Sequence, residues 1–537
     1  MDTRLIKISV NDGNEKYEDA ARLLKDGQVV GIPTETVYGL AGNAYSENAV
    51  KRIFEAKGRP QDNPLIVHIS CFDEIYDLVS CVPEKAKKLA DAYWPGPLTI
   101  ILPKSDKVPL CVTGGLDTVA VRCPKHPIAN RLIKVTGLPL AAPSANLSGK
   151  PSPTKAQHVF NDLQGRIPMI IDGGECEEGV ESTVVTLATE TPKLLRPGNI
   201  TLNQLKAVLG EVEVDNAVLK PLADGQRVSS PGMKYKHYSP DANVVVVKGC
   251  YDKFCRYVNA VDDDNTYAMV FNGEGKGINT KVIEYGLSDN YKELSHALFD
   301  SLRYLDEIKA ARCFVRCPDD TNDDNLAVLN RLLRAAAFEV VDLDSKKLIG
   351  LTGKTGSGKS TISNILKEKG VYVIDGDIVA RKVLVEDKTL LTRLESAFPG
   401  VLNDDGSLNR KLLAAKAFDT PENTERLNSI THPVINEFIH KEAEKAFETY
   451  DVVLVDAAAI IESGFADECD VLVVVNAPFD VRKERIIARD KLSETDALIR
   501  MNGQKCDDFY LSKADVVINN YPPYDINEEV KKLELYI

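Results

Sequence analysis

A chain of 537 residues is too long for one hydrophobic core, and typical domain sizes predict about three or four domains. Hydrophobic residues make up 44% of the sequence and charged residues 27%, which is ordinary for a globular protein and argues against a largely disordered chain. The net charge of −14 at pH 7 argues against a protein that coats nucleic acid, because contacts with phosphates need a basic surface.

The N-terminal residues lack the apolar stretch and cleavage site of a secretory signal, and no apolar run approaches the roughly 20 residues of a membrane helix. The eleven cysteines are scattered, and the spacing of Cys313 and Cys317 alone is weak support for a zinc site. We therefore expect reduced cysteines and a cytoplasmic protein that does not bind membranes.

Residues 1–210 show short apolar runs separated by turn-rich and helical segments. This alternation predicts an α/β domain built on a twisted, mixed sheet. The predicted strands include Gln28–Ile32, Pro64–Ile69, Leu98–Leu102, Val119–Arg122 and Met169–Asp172.

Polar clusters follow several of these apolar runs. Pro33–Gly39 contains two threonines and a glutamate, Lys57–Pro60 is a basic turn, and Pro143–Gly149 carries Ser144 and Asn146. Taken one at a time, each cluster is typical of ordinary turn chemistry.

Taken together, the clusters resemble the threonylcarbamoyl-AMP synthase family, whose signature is Lys-x-Arg followed later by Ser-x-Asn. Further matching segments are Tyr93–Thr99, Val119–Pro124, Glu181–Thr183 and Leu195–Gly198. The resemblance continues to about Leu343, which indicates the long, two-domain form of the family.

That family condenses L-threonine, bicarbonate and ATP to threonylcarbamoyl-AMP and pyrophosphate, and partner proteins use the product to modify an adenosine beside the anticodon of certain tRNAs. The resemblance implies that Lys57 and Arg59 are catalytic. It implies a threonine pocket formed by Thr36, His68, Arg122, Ala142 and Ser182. It implies a nucleotide side formed by Arg59, Asn63, Thr118, Ser144, Asn146, Ser152, Arg196, Tyr235 and Tyr238.

The residue types suit this chemistry. Lys57, Arg59 and Arg196 could neutralise the charge that builds on the phosphates when a carbamate attacks the α-phosphorus. Arg122 is a natural bidentate partner for a carboxylate. His68 lies in an apolar strand, and without the family it would be interpreted as a buried core histidine.

Residues 211–240 are predicted to be a linker, because the prolines and glycine of Ser230–Pro240 are incompatible with a helix. Tyr235 and Tyr238 could fold over the nucleotide as a lid, and a mobile tether is the alternative.

Residues 241–344 are predicted to form a smaller, Rossmann-like α/β domain of the long synthase form. Its predicted strands are Asn243–Val247, Tyr267–Phe271 and Glu339–Asp342, and its predicted helices are Lys292–Lys309 and Leu326–Ala337. No catalytic pattern is visible in it.

Residues 345–537 alternate apolar runs with helical segments, which predicts a parallel sheet with crossover helices. The predicted strands are Leu348–Thr352, Val371–Ile374, Val452–Val455, Val471–Val475 and Val516–Ile518. The sharpest motif of the whole chain, Gly353–Ser360, follows the first strand and fits the P-loop pattern Gly-x-x-x-x-Gly-Lys-Ser.

Glycines in a P-loop let successive backbone N–H groups converge on phosphate oxygens, and the following helix adds partial positive charge. Lys359 is expected to reach the β- and γ-phosphates of ATP, and the Ser360 hydroxyl is expected to ligate Mg²⁺. The predicted nucleotide-binding residues of this loop are Gly353, Lys354, Thr355, Gly356, Ser357, Gly358, Lys359, Ser360 and Thr361.

Asp375 and Asp377 follow the second predicted strand, at the edge where open α/β sheets bind ligands. An aspartate there could accept the proton of an attacking hydroxyl, but aspartates in this position also cap helices. The residues alone leave both roles open.

This half of the chain resembles dephospho-CoA kinase. The matching segments, in order, are Gly350–Gly353, Ser357–Ser360, Asp375–Arg381, Asp405–Arg410, Thr431–Ile435, Arg485–Asp490 and Ala514–Asn519. The resemblance implies phosphoryl transfer from ATP to the ribose 3′-hydroxyl of dephospho-CoA, with Asp377 as the base. It also implies that Arg485 and Arg489 belong to a lid over the phosphates, and their spacing puts both on one helix face.

One segment departs from that family. Where its members usually carry Pro-Leu-Leu before a glutamate, this chain has Ala457–Ile461 before Glu462. A kinase that acts on another small molecule is therefore the alternative for this half. For the N-terminal half, the alternative is an RNA-binding module, which the acidic charge disfavours. A further alternative is that one of the two halves is a degenerate scaffold, which the intact motifs of both halves disfavour.

The sequence as a whole thus predicts a bifunctional enzyme. Its expected ligands are ATP with Mg²⁺, L-threonine, bicarbonate and dephospho-CoA. We expect downstream tRNA-modification proteins as partners and no stable direct binding of nucleic acid.

Overall fold

The computed structural model describes residues 2–220, 238–261, 264–534 and 536–537. The chain divides into two compact units, Met1–Asp342 and Leu343–Ile537. Tyr235 and most of the predicted linker lie outside the described residues.

The first unit begins with a mixed sheet, which has eleven strands within the described part of the chain. The strands are β1 (Arg4–Lys7), β2 (Val30–Ile32), β3 (Gly39–Asn43), β4 (Ile66–His68), β5 (Leu98–Pro103), β6 (Thr118–Arg122), β7 (Leu140–Ala141), β8 (Met169–Asp172), β9 (Thr183–Thr186), β10 (Lys193–Arg196) and β11 (Glu213–Val214). Their order is β1-β8-β2-β3-β7-β4-β6-β5-β9-β10-β11. The helices are α1 (Glu15–Lys25), α2 (Glu47–Lys57), α3 (Glu84–Tyr93), α4 (Leu110–Thr113), α5 (Pro127–Thr136), α6 (Ala156–Leu163) and α7 (Leu202–Leu209).

The register of two strands and the end of one helix position the candidate site described below. In the parallel pair β4 and β6, His68 lies directly opposite Arg122. Helix α2 is capped at its C-terminus by Gly58, which adopts a left-handed φ of 60° that suits glycine. That turn places Lys57 inside the protein and starts the segment that carries Arg59.

A smaller, fully parallel sheet follows in the same unit. Its strands are β12 (Asn243–Lys248), β13 (Thr266–Val270), β14 (Lys281–Glu284), β15 (Arg312–Arg316) and β16 (Val340–Asp342), in the order β14-β13-β15-β12-β16. Its helices are α8 (Tyr251–Asn259), α9 (Tyr291–Glu307) and α10 (Leu326–Ala335). The helix α8 and the strands β14 and β15 were not predicted, and the reason for the strands is that their apolar runs are only two and three residues long between charged residues.

Helix α9 of the smaller domain packs closely against the N-terminal domain. Gly179 approaches its backbone so closely that a Cβ on this residue would lie 2.4 Å from the Cα of His296. Gly179 also has a φ of +78°. Nearby, Arg303 on α9 forms an ion pair of 2.8 Å with Asp162.

The second unit is a parallel sheet in the order β18-β19-β17-β20-β21. Its strands are β17 (Lys347–Thr352), β18 (Tyr372–Asp375), β19 (Val452–Asp456), β20 (Val471–Asn476) and β21 (Val516–Asn519). Its helices are α11 (Lys359–Glu368), α12 (Gly376–Glu386), α13 (Lys388–Ala397), α14 (Arg410–Ala417), α15 (Pro421–Ala446), α16 (Phe479–Asp490), α17 (Glu494–Asn502), α18 (Asp507–Leu511) and α19 (Ile526–Lys531). The predicted fold class is confirmed.

None of the described helices combines the length and the apolar character needed to cross a membrane. Within the same residues, no group of three or more His, Cys, Asp or Glu side chains is placed to hold a metal ion.

Candidate functional site

A cavity of the first unit gathers most of the polar residues that the sequence singled out. The predicted residues that line it are Thr36, Arg59, His68, Arg122, Ala142, Ser144, Asn146, Ser182, Arg196 and Tyr238. Among the described residues of the synthase prediction, four do not line it: Lys57, Asn63, Thr118 and Ser152. Thr118 lies at the opposite end of β6 from Arg122.

Arg122 is held at the cavity by a buried carboxylate. Its Nη2 lies 2.6 Å from Oε1 of Glu35, and both side chains are almost completely buried. Its Nη1 donates a hydrogen bond of 2.9 Å to Oγ1 of Thr36. Burial alone would raise the pKa of Glu35, but the Arg122 charge and hydrogen bonds keep that pKa below its usual value. Arg122 is therefore a fixed cation that presents its donors next to the Thr36 hydroxyl.

His68 lies beside this ion pair and is neutral. Burial, reinforced by the Arg122 charge, lowers the pKa of His68 to about 3. Its Nδ1 is 3.2 Å from the carbonyl oxygen of Ile66, which is a contact for a protonated ring nitrogen. His68 therefore adds no charge to the cavity.

Lys57 lies behind the cavity wall rather than in it. Its Nζ donates to the carbonyl oxygens of Ser144 and Asn146, the latter at 2.7 Å, and is 3.2 Å from Oδ1 of Asn146. Burial, with the nearby Arg59 charge, lowers the pKa of Lys57 well below its usual value. Lys57 thus fixes the Ser144–Asn146 turn, whose side chains line the cavity.

Two further arginines line the cavity. Arg196 donates through Nε to the carbonyl oxygen of Ser182 and through Nη2 to the Ser182 hydroxyl, both at 3.1 Å. Arg59 donates to the carbonyl oxygen of Pro64 at 3.2 Å, while its Nε has no hydrogen-bond partner among the described residues. Burial lowers the pKa of Arg59 to about 10. Both side chains therefore have donors available at the cavity.

A single acidic side chain, Glu181, lines the same cavity within the described residues. One of its carboxylate oxygens accepts a hydrogen bond from the Ser152 hydroxyl. The other lies 3.1 Å from Nε of Arg331, a fully buried residue of α10. Burial would raise the pKa of Glu181, but the charges of Arg331 and Arg196 outweigh burial and keep it ionised.

The second unit carries the predicted P-loop between β17 and α11. Gly353, Gly356 and Gly358 all have positive φ, at 151°, 83° and 97°. A Cβ on Gly353 would lie 2.5 Å from the carbonyl oxygen of Val475, so a side chain there would displace backbone. The Nζ of Lys359 is 3.4 Å from the carbonyl oxygen of Gly353, which places the lysine across the loop.

Residues far away in sequence hold this loop. Arg485 donates to the carbonyl oxygens of Ser357, at 3.2 Å, and Asn520, at 2.9 Å. Lys354 forms an ion pair of 2.6 Å with Asp507. The two predicted lid arginines therefore differ, because Arg485 contacts the loop, whereas Arg489 is exposed and pairs with its neighbour Asp490 at 2.8 Å.

Three carboxylates lie close to the Lys359 side of the loop. Asp375 caps α12 by accepting a hydrogen bond of 3.0 Å from the Ile378 amide, whereas Asp377 is exposed in the first turn. Asp456 at the end of β19 accepts a hydrogen bond of 2.7 Å from Ser363. Burial raises the pKa of Asp456, and the charges of Asp375 and Asp377 raise it further.

Comparison with known proteins assigns both units. Residues 22–198 match a family described as telomere recombination, residues 200–337 match the threonylcarbamoyl-AMP synthase C-terminal domain, and residues 347–523 match dephospho-CoA kinase. The threonylcarbamoyl-AMP synthase of Pyrococcus abyssi is 46% identical over 348 residues, which cover 63% of this chain and 99% of that relative. The dephospho-CoA kinase of Corynebacterium jeikeium is 44% identical over 173 residues, which cover 32% of this chain and 89% of that relative.

The chain belongs to the threonylcarbamoyl-AMP synthase family and to the dephospho-CoA kinase family. It is a fusion of a threonylcarbamoyl-AMP synthase and a dephospho-CoA kinase, as the sequence predicted. The crystal structure of P. abyssi Sua5 complexed with L-threonine resembles it with a TM-score of 0.60 and 43% identity, over 63% of this chain and 99% of that chain.

Sequence reasoning assigned no role to several residues of the two sites. In the synthase these are Glu35, which pairs with Arg122, and Glu181 and Arg331, which pair with each other. In the kinase they are Asp456, Asp507 and Asn520. Glu35 carried a signal, because it lies inside the Thr34–Thr36 cluster, whereas Arg331 and Asn520 carried none.

Proposed function

We propose that the synthase unit makes threonylcarbamoyl-AMP from L-threonine, bicarbonate and ATP in the cavity described above. The observation that carries the proposal is the charge of its wall: Arg59, Arg122 and Arg196 line the cavity together with Lys150, against one carboxylate among the described residues, Glu181. Such a cavity suits a carboxylate and a triphosphate in the same place.

Each charged group of the substrates then has a proposed position in the cavity. Arg122, which the Glu35 carboxylate already orients, would bind the threonine carboxylate beside the Thr36 hydroxyl. Arg59 and Arg196 would bind phosphate oxygens and stabilise the charge that develops during attack on the α-phosphorus. Lys57 would act by holding the Ser144–Asn146 turn. Positioning and electrostatics are sufficient, and no covalent nucleophile is needed. The P. abyssi relative, whose crystal structure is a complex with L-threonine, supports this assignment.

For the second unit we propose phosphoryl transfer from ATP to the ribose 3′-hydroxyl of dephospho-CoA. The P-loop would bind the phosphates through its N–H groups and Lys359, and exposed Asp377 would take the proton of the acceptor hydroxyl. Mg²⁺ fits this site, because Asp456 lies among carboxylates that disfavour its own charge and that a divalent cation would neutralise. Ser360 and Asp456 would hold the ion, which would supply charge neutralisation at the phosphates.

The threonylcarbamoyl-AMP made by the first unit would pass to tRNA-modification proteins.

One experiment tests both proposals on the full chain. The protein is incubated with ATP, Mg²⁺, bicarbonate and L-threonine, and separately with ATP, Mg²⁺ and dephospho-CoA, and the products are identified by mass spectrometry. We expect threonylcarbamoyl-AMP from the first mixture and coenzyme A from the second. Lys359→Ala should abolish only the second product and Lys57→Ala only the first.

Lys369→Ala serves as a matched control, because this surface lysine pairs with Glu534 at the far end of α11. It should leave both products unchanged. Transfer of phosphate to another small-molecule hydroxyl, without transfer to dephospho-CoA, would overturn the acceptor assignment. Failure of the wild type to form threonylcarbamoyl-AMP would overturn the first proposal.

A further inference from the structure

The smaller domain of the synthase unit holds one wall of the cavity. The segment concerned is residues 150–155, which we call the clamped segment; it contains the cavity-lining Lys150. Lys150 forms an ion pair of 3.0 Å with Asp306, and the carbonyl oxygen of Pro151 accepts a hydrogen bond of 2.6 Å from Nη2 of Arg303. Both partners belong to α9.

The other end of the clamped segment is held by the same helix. Asp300 accepts a hydrogen bond of 3.0 Å from the Thr154 hydroxyl and forms an ion pair with Lys155. Asp300, Arg303 and Asp306 follow one another at intervals of three residues, so they share one face of α9. This face is complementary in charge and hydrogen bonding to the clamped segment.

Helix α10 completes the contact through Arg331. This side chain is fully buried and lies 3.1 Å from Glu181, and its Nη1 donates a hydrogen bond of 2.5 Å to the carbonyl oxygen of Pro197. Glu181 in turn accepts from Ser152 of the clamped segment. The guanidinium of Arg331 also lies 5.8 Å from the centre of the Tyr238 ring, which lines the cavity.

The chemical consequence concerns Glu181. It is the one acidic residue that lines the cavity within the described residues, and it shares that wall with Arg196. A buried carboxylate without a paired cation would repel the phosphates of a nucleotide. Arg331 supplies the pairing cation from the smaller domain, which itself contributes no described residue to the lining of the cavity.

We propose that Arg331 is a positioning residue of the synthase, and that the smaller domain serves to neutralise Glu181 and to fix the clamped segment for nucleotide binding. This inference rests on the proposed synthase function. It predicts a selective effect: loss of Arg331 weakens the binding of ATP and leaves the binding of L-threonine at Arg122 nearly unchanged.

The test is steady-state kinetics of the full chain with Arg331→Met, varying ATP and L-threonine in turn. We expect the KM for ATP to rise about tenfold or more, and the KM for threonine to change less than about twofold. Adding Glu181→Gln to Arg331→Met removes the unpaired charge, and it should restore most of the affinity for ATP. Arg331→Lys, which retains the charge, should lose less than Arg331→Met.

A matched control distinguishes this role from general stability. Arg316 of the same domain is also buried and pairs with Glu274 at 3.0 Å, away from the cavity. Arg316→Met should lower the melting temperature without changing the ratio of the two KM values. If Arg331→Met does not fold, Arg331→Lys and the double variant supply the same comparison.

Parallel changes in both KM values, or no rescue by Glu181→Gln, would overturn the positioning role. If the wild type is active and the KM for ATP is unchanged in Arg331→Met, the positioning role is also overturned, but the proposed function is left intact. A wild type that forms no threonylcarbamoyl-AMP would instead overturn the proposed function itself.

Discussion

The two sites are proposed to bind the same nucleotide with different parts of the chain. The kinase uses one contiguous stretch, Gly353–Ser360, whose backbone geometry depends on three glycines with positive φ. The synthase uses side chains drawn from residue 34 to residue 238, several of them buried charges in pairs. In the first site the phosphate-binding groups are therefore concentrated in one short loop, although Arg485 holds that loop from a distant part of the sequence. The second site couples ligand binding to the stability of the whole unit.

The largest expected effect separates catalysis from stability in the kinase. Asp377 is exposed, so Asp377→Asn removes the proposed base at little cost to folding. We expect kcat for dephospho-CoA phosphorylation to fall by about 10²- to 10⁴-fold with an unchanged melting temperature. A comparable loss of kcat in Asp375→Asn, which keeps the helix cap, would remove the distinction between the two aspartates.

In the synthase, Arg122→Met should damage binding and stability together, because it leaves Glu35 charged, buried and unpaired. We expect the free energy of unfolding to fall by about 3–5 kcal/mol, together with loss of threonine binding. Trp94 is the one tryptophan of the sequence and lies in this unit, so its fluorescence in a denaturant titration reports the synthase. Adding Glu35→Gln should recover part of the stability but not the binding. Full stability of Arg122→Met would contradict the proposed coupling.

The pH dependence of stability is a third test. His68 has a folded pKa of about 3, so between pH 6.5 and 3 the unfolded chain binds a proton that the folded chain does not. The free energy of unfolding should therefore fall as the pH falls, and His68 alone should account for about 3 kcal/mol between pH 6.5 and 4. His68→Gln should flatten the Trp94-detected pH profile by that amount. An identical slope in wild type and variant would show that His68 is accessible to protons.

The smallest effect concerns the helix cap of the kinase. Asp375→Ala removes the acceptor of the Ile378 amide and should destabilise the start of α12 by about 1 kcal/mol, whereas Asp375→Asn should retain the cap. Hydrogen exchange of the Ile378 amide measures the difference. Equal protection in both variants would show that the cap contributes nothing.

Local patterns were predicted well and long-range partners were not. The strand β8 was predicted with its observed ends, and the P-loop was recognised because its glycines, lysine and serine are adjacent in sequence. Arg485 and Arg489 looked equivalent on one helix face, but only Arg485 reaches the loop. The difference between the two arginines depends on which residues pack beside each turn of α16, and the spacing of residues along the sequence gives no information about that.

The missed elements of the smaller domain have a similar cause. β15 is buried from Cys313 to Arg316 but begins and ends with an arginine, and β14 has only four residues and exposed ends. Neither has an apolar run longer than three residues, which is too short to identify a parallel strand. In the cavity, Glu35 is adjacent to a predicted residue, while Arg331 lies 150 positions from the Glu181 carboxylate that it pairs with. Only the folded chain brings that pair together.

Gly179 determines how closely the two synthase domains pack at the joint between them. Where it meets His296, main chain rests on main chain, and there is no room even for a methyl group. Separating the two domains here would break this backbone packing together with the ion pairs that α9 forms nearby, so the joint is expected to be rigid rather than to act as a hinge. The synthase is therefore expected to transmit a disturbance in its smaller domain directly to the cavity wall instead of absorbing it.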